Sequence, residues 1–533
     1  MTHATDELAG DAGRRFRSEV ERRRTFAIIS HPDAGKTTLT EKFLLYGGAI
    51  AEAGAVKARR GRRSVTSDWM ELERQRGISI TSTVLQFPYR GAMLNLLDTP
   101  GHADFSEDTY RVLTAVDGAI MVLDAAKGIE AQTLKLFQVC AREGVPLLTF
   151  VNKCDRPWGE PLAILDEIES TLGLVPTPAT WPVGTGQDFR GVVDRRHDRY
   201  VRFERTPRGA SESPEHHLDP TRDLGEDEPA RDELALLEAL GRGVDTASFL
   251  QARTTPVFFG SALWNFGVRQ ILDAVVDLAP SPTERKTTDG VPRPIDAPFS
   301  GFIFKVQANM DPLHRDRMAF VRVCSGVFER GMPVVHGPTG RQLTTRHLHQ
   351  LFGRERATVE AGYPGDVIGL VTTAQLGVGD TIYAERPVAY PPIPRFVPEH
   401  FARVRNRDTS RYKRFRVGIE QLDQEGVVQI LRHADLGDQA PVFAACGPLQ
   451  FDVARHRMEN EFGAQIELTP MPHRFARRTD SASGKRLVRE RDVEVLERSD
   501  GVLVALFANP HQLARLERED DDLVLEPLDL GGG

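Results

Sequence analysis

A run of small and polar residues near the N-terminus has the composition of a phosphate-binding loop. It lies between an apolar run and a helical pattern, and it comprises Ser30, His31, Pro32, Asp33, Ala34, Gly35, Lys36, Thr37 and Thr38. Backbone N–H groups of such a loop point at phosphates. The Lys36 ammonium adds positive charge, and the Thr37 hydroxyl suits Mg²⁺. Ser30 stands where the common pattern has glycine, so this motif alone leaves an ordinary helix start open.

A second group of reactive residues follows the apolar run MLNLL, and it comprises Asp98, Thr99, Pro100, Gly101 and His102. A carboxylate at that strand end can hold Mg²⁺ through water, and Gly101 lets a backbone N–H approach a γ-phosphate. Such a contact also makes a switch, because hydrolysis removes it. We predict that Lys36, Gly101 and His102 are catalytic, with His102 orienting the attacking water, although a lone histidine is more often structural.

Two further motifs indicate which base is bound. Asn152, Lys153, Cys154 and Asp155 follow the apolar run PLLTFV, and Ser261 and Ala262 follow PVFFG. The Asp155 carboxylate can accept hydrogen bonds from guanine N1 and N2, a pattern that adenine does not offer. A backbone N–H at Ser261–Ala262 can donate to guanine O6. The order of the motifs, each at a strand end, predicts a site for GTP or GDP with Mg²⁺.

The elements that position these residues alternate between strands and helices from residue 25 to about residue 280. Nearly unbroken apolar runs predict buried strands at TFAIIS, MLNLLDT, AIMVLDA, PLLTFVN and PVFFGSA. Helices are predicted over residues 36–46, 133–142 and 268–278. This alternation predicts an α/β, doubly wound and mostly parallel sheet with its ligands at the carboxyl ends of the strands.

Changes in periodicity and composition divide the remaining sequence. The predicted segments are a flexible N-terminus (1–21), a GTP-binding domain (22–283), an antiparallel β-barrel domain (297–391), an α+β C-terminal domain (395–525) and a flexible tail (526–533). An insertion at about 188–250 interrupts the first domain. We expect its acidic part, residues 211–233, to end in a mobile loop outside the nucleotide core.

The composition excludes several classes of protein. The 533 residues are 40% hydrophobic and 27% charged, contain no run of about 18 apolar residues, and begin without the apolar segment of a secretory signal. Four widely spaced cysteines indicate a reducing, cytoplasmic location. The net charge of −8 disfavours charge-driven binding of nucleic acid, and we expect no DNA partner. Residues 403–416 are basic with interleaved aromatics, which leaves a local RNA contact and a solvated face both open.

Taken together, the motifs HPDAGKTT, QRGISIT, DTPGH, NKCD and GSA resemble those of the translational GTPases, which include elongation factors Tu and G. Longer stretches, such as NLLDTPGHADFSEDTYRVLTAVD and GPLQFDVARHRME, are similar to the class II peptide chain release factors from about residue 22 to about residue 516. The resemblance implies a factor that binds the ribosome after peptide release, ejects the class I release factor and hydrolyses GTP. It implies ribosomal RNA, ribosomal proteins and class I release factors as partners, ribosome-stimulated turnover, and a monomer off the ribosome.

The resemblance also implies a first switch region around Arg76–Ile80. The family has a threonine Mg²⁺ ligand there, and this chain has Ser79, which we favour over Thr81 as the ligand. The basic residues 59–63 just upstream are either an RNA-facing part of this switch or a solvated loop. No second arginine is evident near the γ-phosphate position, so we expect slow hydrolysis without the ribosome.

Other functions fit the sequence less well. A translocase like elongation factor G, or a ribosome-protection relative, carries further domains for which we expect no room here. A class I release factor needs a Gly-Gly-Gln triplet, which the sequence lacks. A P-loop kinase would lack the guanine motifs, and a ribosome-binding module without hydrolysis would not need Lys36, Thr37, Asp98 and His102. The sequence leaves open which domain contacts which ribosomal element, how GDP is exchanged, whether the factor serves general termination or quality control, and what the insertion does.

Overall fold

A computed structural model describes most of the chain. The described residues are 10–50, 82–100, 104, 106–225, 228–308, 317–345, 348–352, 355–358, 360–372, 376–393, 395–433, 437–520 and 522–528. Their α-helices are α1 (Asp11–Glu21), α2 (Lys36–Tyr46), α3 (Ser106–Thr114), α4 (Ala131–Glu143), α5 (Pro161–Leu172), α6 (Pro220–Asp223), α7 (Pro229–Ala239), α8 (Thr246–Leu250), α9 (Val268–Leu278), α10 (Tyr412–Glu425), α11 (Leu449–Asn460), α12 (Ser481–Leu487) and α13 (Pro510–Glu519). Within this part of the chain no helix is long and apolar enough to cross a membrane.

The strands of the first half are β1 (Arg23–Ser30), β2 (Thr83–Tyr89), β3 (Ala92–Asp98), β4 (Gly118–Asp124), β5 (Leu147–Asn152), β6 (Val175–Pro178), β7 (Thr180–Val183), β8 (Gly191–Asp194), β9 (Arg199–Phe203), β10 (Glu215–Leu218) and β11 (Thr254–Phe259). The strands of the middle are β12 (Arg285–Lys286), β13 (Pro292–Arg293), β14 (Ser300–Ala308), β15 (Arg317–Ser325), β16 (Phe328–Glu329), β17 (Pro333–His336), β18 (Gln342–Thr344), β19 (Leu348–Phe352), β20 (Glu355–Thr358), β21 (Ala361–Gly362), β22 (Val367–Thr372) and β23 (Thr381–Tyr383). Those of the C-terminal part are β24 (His400–Asn406), β25 (Gln429–His433), β26 (Gly437–Ala445), β27 (Ile466–Pro470), β28 (Phe475–Thr479), β29 (Val493–Arg498), β30 (Leu503–Phe507) and β31 (Glu526–Pro527).

The first half folds around a mostly parallel sheet, as predicted. Its strand order is β2-β3-β1-β4-β5-β11-β6, and only the β2–β3 pair is antiparallel. Helices α2 and α9 have the predicted bounds, and α4 extends the predicted helix by a residue or two at each end. The parallel arrangement brings the carboxyl ends of β1, β3, β5 and β11, where the motifs begin, to one edge of the sheet.

The sheet is buried on both faces, which explains its unbroken apolar runs. Along β1, Phe26 and Ile28 belong to one hydrophobic cluster, which includes residues of α2 and α9. The intervening Ala27 and Ile29 belong to another cluster, which includes residues of α3, α4 and α5. Side chains of consecutive strand residues point to opposite faces, so each strand anchors both layers and holds the loops at its carboxyl end in place.

The other two regions are an antiparallel β-rich middle and an α+β C-terminal part. Strands β14, β15, β17, β18, β22 and β23 pair antiparallel, and β19 joins them to the first sheet through the pair Phe352–Leu85 of β19 and β2. The C-terminal sheet has the order β27-β24-β26-β25-β29-β30-β28-β31 and carries α10 to α13. The fold class predicted from the sequence is confirmed.

The expectation of a flexible segment over residues 1–21 is wrong for the described part of it. Helix α1 occupies Asp11–Glu21, and its Phe16 and Val20 side chains are buried. The Phe16 ring lies 6.4 Å from the ring of Tyr363, in the middle region. Phe16 and Val20 are four residues apart and so share one helix face. Residues 1–9 lie outside the described residues.

The expectation of a mobile acidic loop over residues 211–233 is also wrong for the described part of the insertion. Strand β10 pairs with β9, and α6 and α7 follow it. On α7, Ala230 and Leu237 are buried in the same hydrophobic cluster as β1 and β5 residues, and Glu233 accepts a hydrogen bond of 2.8 Å from the Trp181 indole. Helix α7 therefore forms within this acidic stretch and buries apolar residues on one side.

The predicted flexible tail begins too early. Glu526 and Pro527 form β31, which pairs with β28 at Arg477 and Arg478. The next residue, Leu528, is buried in a hydrophobic cluster of the C-terminal part. Residues 529–533 lie outside the described residues.

Candidate nucleotide site

The predicted phosphate loop connects β1 to α2. Ser30 ends the strand and Lys36 begins the helix, so the loop backbone turns within five residues. The turn needs left-handed backbone at Asp33 (φ 65°) and Gly35 (φ 104°). A Cβ at Gly35 would overlap the Asn152 side-chain amide, so only glycine fits that position without rearrangement.

Lys36 and Asp98 meet at the open edge of the sheet. The Lys36 Nζ lies 2.7 Å from Asp98 Oδ1 and also donates to the Thr99 carbonyl. The Thr99 hydroxyl donates to the Ile28 carbonyl at 2.7 Å, which fixes the end of β3 against β1. Thr37 is exposed at the start of α2. A hydroxyl and a carboxylate oxygen on one edge are the ligand types that Mg²⁺ prefers.

Asn152 joins the phosphate loop to the predicted guanine loop. Its side-chain Nδ2 donates to the Ala34 carbonyl at 2.7 Å, and its Oδ1 accepts from the Ala262 N–H at 2.8 Å. Asn152 is 2% exposed, and Ser261 and Ala262 are fully buried. The Ala262 N–H therefore stabilises the site itself, whereas the sequence assigned a backbone N–H of this pair to guanine O6.

The remaining guanine-motif residues divide into polar and structural positions. Lys153 adopts left-handed backbone (φ 70°), and its ammonium lies 2.7 Å from Asp124 Oδ2. Burial alone would raise the pKa of Asp124, but the bonds from Lys153 and a backbone N–H hold that pKa below its ordinary value. Asp155 is half-buried, and its Oδ2 accepts from the Trp264 indole N–H at 3.2 Å. The Cys154 thiol lies in the hydrophobic core, where burial raises its pKa.

His31 has a partner that sequence reasoning missed. Its Nδ1 lies 2.5 Å from Glu130 Oε2, just before α4, and its Nε2 is buried without a partner among the described residues. Burial lowers the pKa of His31, with the Glu130 carboxylate opposing this effect. His31 thus packs the phosphate loop against the β4–α4 connection.

Several predicted site residues cannot be placed. Gly101 and His102 lie outside the described residues, as do Ser79 and Thr81 and the basic residues 59–63. Their roles stay predictions from the sequence.

The segment after Asp98 contacts the C-terminal part of the chain. Asp104 Oδ2 accepts a hydrogen bond of 2.7 Å from the Leu449 N–H, at the start of α11. On α3, the Arg111 guanidinium pairs with Glu107 and donates to the Glu425 carbonyl at 3.0 Å, at the end of α10. These contacts connect the segment that follows the Asp98–His102 motif to two helices more than 300 residues away.

The same segment also contacts the β-rich middle. The Lys305 ammonium lies 3.6 Å from Asp108 Oδ2 and donates to the Ser82 carbonyl and hydroxyl, each at 2.8 Å. Burial alone would raise the pKa of Asp108, but Lys305 and the Ser82 N–H hold it below its ordinary value. Asp108 therefore joins β2, β14 and α3 as a carboxylate.

Part of the basic segment 403–416 is buried or paired with acidic side chains, and neither the RNA contact nor the solvated face is decided by this. Phe415, one of its interleaved aromatics, is fully buried in the C-terminal core, whereas Tyr412 is 40% exposed. Arg411 and Arg416 form ion pairs with acidic side chains three and four residues away. These pairs reduce the net positive charge of the face.

Comparison with known protein families gives three consecutive matches. The model for the elongation factor Tu GTP binding domain matches residues 21–281. The model for elongation factor G domain 2 matches residues 298–385, and the model for the C-terminal domain of class II release factor RF3 matches residues 390–517.

Individual relatives agree with the family models. A protein named peptide chain release factor 3 from Gloeobacter violaceus is 53% identical over 467 residues, which cover 86% of this chain and 88% of the relative. The protein of the same name from Synechococcus elongatus is 49% identical over 97% of this chain and 95% of its own. A crystal structure of a protein from Thermus thermophilus matches 90% of this chain and 72% of its own, with a TM-score of 0.68 and 23% identity, and supports the fold alone.

Proposed function

The chain belongs to the peptide chain release factor 3 family, and we propose that it uses GTP on the ribosome to remove class I release factors after peptide release. The family assignment makes it a translational GTPase that acts in termination. The ribosomal stimulation, the magnesium ion and the class I partner are the further steps that we propose here.

One observation supports the nucleotide site above all others, namely the position of Asn152. Its two hydrogen bonds, to the Ala34 carbonyl and from the Ala262 N–H, hold the phosphate loop and the guanine loop together. A nucleotide that spans both loops needs them at a fixed separation, and a buried amide with both ends paired supplies it. Asp155 lies three residues after Asn152, at the same edge of the sheet.

At the phosphate end of the site, different residues bind the phosphates and the magnesium ion. We infer that Lys36 binds the β- and γ-phosphate oxygens, exchanging its pairing with Asp98 and Thr99 for a pairing with the nucleotide. Thr37 and Asp98 would hold Mg²⁺, with Ser79 as the predicted third ligand. When bound, Mg²⁺ neutralises charge on the phosphates.

Hydrolysis requires a positioned water, and we assign that task to His102 beside Gly101. Phosphoryl transfer depends on positioning and charge stabilisation more than on a strong base. We therefore expect slow hydrolysis by the free protein and faster hydrolysis when ribosomal RNA orders His102. In small GTPases, a charge supplied in trans raises the rate by about 10³–10⁵.

The contacts of the segment after Gly101 and His102 suggest how the nucleotide state affects the rest of the molecule. Asp104 bonds the first N–H of α11, and Arg111 bonds the last carbonyl of α10. A change in the backbone at Gly101, three residues from Asp104, would therefore pull on the C-terminal helices. Through this coupling, GTP binding and hydrolysis would change the position of the C-terminal helices α10 and α11.

The proposal is tested with post-release ribosomes that carry a fluorescently labelled class I release factor. Adding the protein with GTP should speed departure of the label, and adding it with GDP should have little effect. His102→Ala should slow GTP turnover far more than it weakens GTP binding. Movement of tRNA without departure of the class I factor would contradict termination activity and indicate translocation instead.

A further inference from the structure

Trp264 lies in a short closed loop beside the guanine motif. The loop runs from Ser261 to Phe266, and the two end residues exchange backbone hydrogen bonds of 2.9 and 3.0 Å. From this loop the Trp264 indole Nε1 donates to Asp155 Oδ2 at 3.2 Å. The bond crosses 109 residues of sequence, from the loop after β11 to the loop after β5.

Among the described residues, the Trp264 indole is the side chain that donates a hydrogen bond to the Asp155 carboxylate. The nearby Ser261 hydroxyl is buried and makes no hydrogen bond within the described structure. Asp155 is half-buried at the edge of the site, so its carboxylate could otherwise rotate. A donor fixed to one oxygen restricts this rotation before a ligand arrives.

Residues of the insertion also contact Trp264 and its neighbour Asn265. The Arg205 guanidinium carbon lies 5.1 Å from the centre of the indole ring, within the range of a cation–π contact. The neighbouring Asn265 is fully buried, and its Nδ2 donates to the carbonyls of Gly209 at 3.0 Å and Ser211 at 2.6 Å. Residues 205–211 therefore form a brace that fixes the loop carrying Trp264.

We propose that Trp264 is a positioning residue for guanine selectivity, acting through Asp155, and that the insertion keeps it in place. The proposal rests on the guanine site proposed above. Guanine presents an N1–H and an N2 amino group, and one carboxylate must accept from both in a single orientation. Holding that orientation in advance removes an ordering cost from binding. Hypoxanthine lacks the amino group, and adenine lacks both donors.

The test compares two matched variants, Trp264→Phe and Trp158→Phe. Each keeps an aromatic ring and removes one indole N–H. The Trp158 Nε1 is buried without a partner in the described structure, and its ring stacks on Phe259 with centroids 6.0 Å apart. Trp158 therefore controls for loss of an indole near the same site. Dissociation constants are measured by calorimetry for GDP, IDP and ADP.

We expect Trp264→Phe to weaken GDP binding roughly tenfold, to weaken IDP binding less, and to leave weak ADP binding unchanged. The ratio of IDP to GDP dissociation constants should fall, whereas Trp158→Phe should preserve it. An unchanged ratio in Trp264→Phe would overturn the proposal. Equal weakening of all three nucleotides would also overturn it, because that result marks a role in folding. Wild-type protein that binds GDP no better than ADP would instead refute the guanine site itself.

Discussion

Replacing Asn152 with alanine should separate the phosphate loop from the guanine loop. The Asn152 side chain is 2% exposed and makes hydrogen bonds of 2.7 and 2.8 Å with Ala34 and Ala262. Each orphaned buried polar group costs about 1–3 kcal/mol, so two cost about 2–6 kcal/mol, and partial hydration of the two groups lowers the sum to about 2–4 kcal/mol. In the free variant the loops can move apart and become hydrated. Most of this cost then falls on nucleotide binding, which needs the loops together.

The expected result is a roughly 30- to 1000-fold loss of GDP affinity, as 2–4 kcal/mol implies. Displacement of a fluorescent GDP analogue measures the affinity, and urea unfolding should show a smaller change in the free energy of unfolding. Thr149→Val is a matched control on the same strand, since the Thr149 hydroxyl lies 2.7 Å from that of Thr255 in the buried sheet. It should lower stability and leave GDP affinity unchanged.

Two results would refute this reasoning. One is a GDP affinity of Asn152→Ala within about threefold of the wild-type value, since loss of both bonds predicts at least 30-fold. The other is an equal loss of affinity in Thr149→Val, which would show that general destabilisation of β5 explains the effect.

Three further predictions concern the phosphate loop and the segment that follows Asp98. Gly35→Ala should abolish measurable GDP binding, because position 35 has left-handed backbone (φ 104°) and an added Cβ would overlap the Asn152 side-chain amide. Near-normal GDP binding by this variant would contradict the loop geometry. Lys305→Ala should cost about 1–3 kcal/mol of unfolding free energy at pH 7. Because folding lowers the pKa of Asp108, the stability that this carboxylate contributes is present above its unfolded pKa of about 3.9 and is lost as the pH falls through the folded pKa. The difference in unfolding free energy between the wild type and Lys305→Ala, measured with urea, should therefore be smaller at pH 3.5 than at pH 7. An equal difference at both pH values would exclude an electrostatic origin. Asp104→Ala removes the acceptor for the Leu449 N–H and should lower the free energy of unfolding by about 0.5–2 kcal/mol, whereas Asp104→Asn keeps an acceptor and should retain most of that stability. Equal urea midpoints for the wild type and both variants would refute the contribution of that contact.

The sequence predicted the parts of the site that depend on short segments. Helix α2 begins at Lys36 because a glycine with left-handed backbone precedes it, and such local signals lie within one window of sequence. The strand-end position of Asp98 and Asn152 follows from apolar runs that end in polar residues. The parallel sheet then brings these ends together by geometry alone.

The sequence could not predict contacts between distant segments. Glu130 beside His31, Trp264 beside Asp155, and Asp104 at the start of α11 each depend on how the chain packs in three dimensions. None has a short motif, although a tryptophan three residues after Ser261 is a signal that could have drawn attention.

Helices α1 and α7 were predicted to be flexible for the same reason. Their high content of charged residues was given more weight than the helical spacing of their few apolar residues. Helix α1 is rich in charge, yet Phe16 and Val20 share a face that packs near Tyr363, far along the chain. Helix α7 lies in an acidic stretch, yet Ala230 and Leu237 lie seven residues apart and are both buried. Two apolar residues on one side suffice when a distant surface receives them, and that surface is not visible in the local sequence.

The central claim is that the guanine site of this chain controls removal of a class I release factor. Asp155→Asn tests it most directly, because an amide can donate to the 2-carbonyl of xanthine where the carboxylate accepts from the 2-amino group of guanine. The measurement is the departure rate of a labelled class I factor from post-release ribosomes. The account predicts that the wild-type protein works with GTP and not XTP, and that Asp155→Asn works with XTP far better than with GTP. Departure that proceeds equally with either nucleotide, or with none, would contradict it.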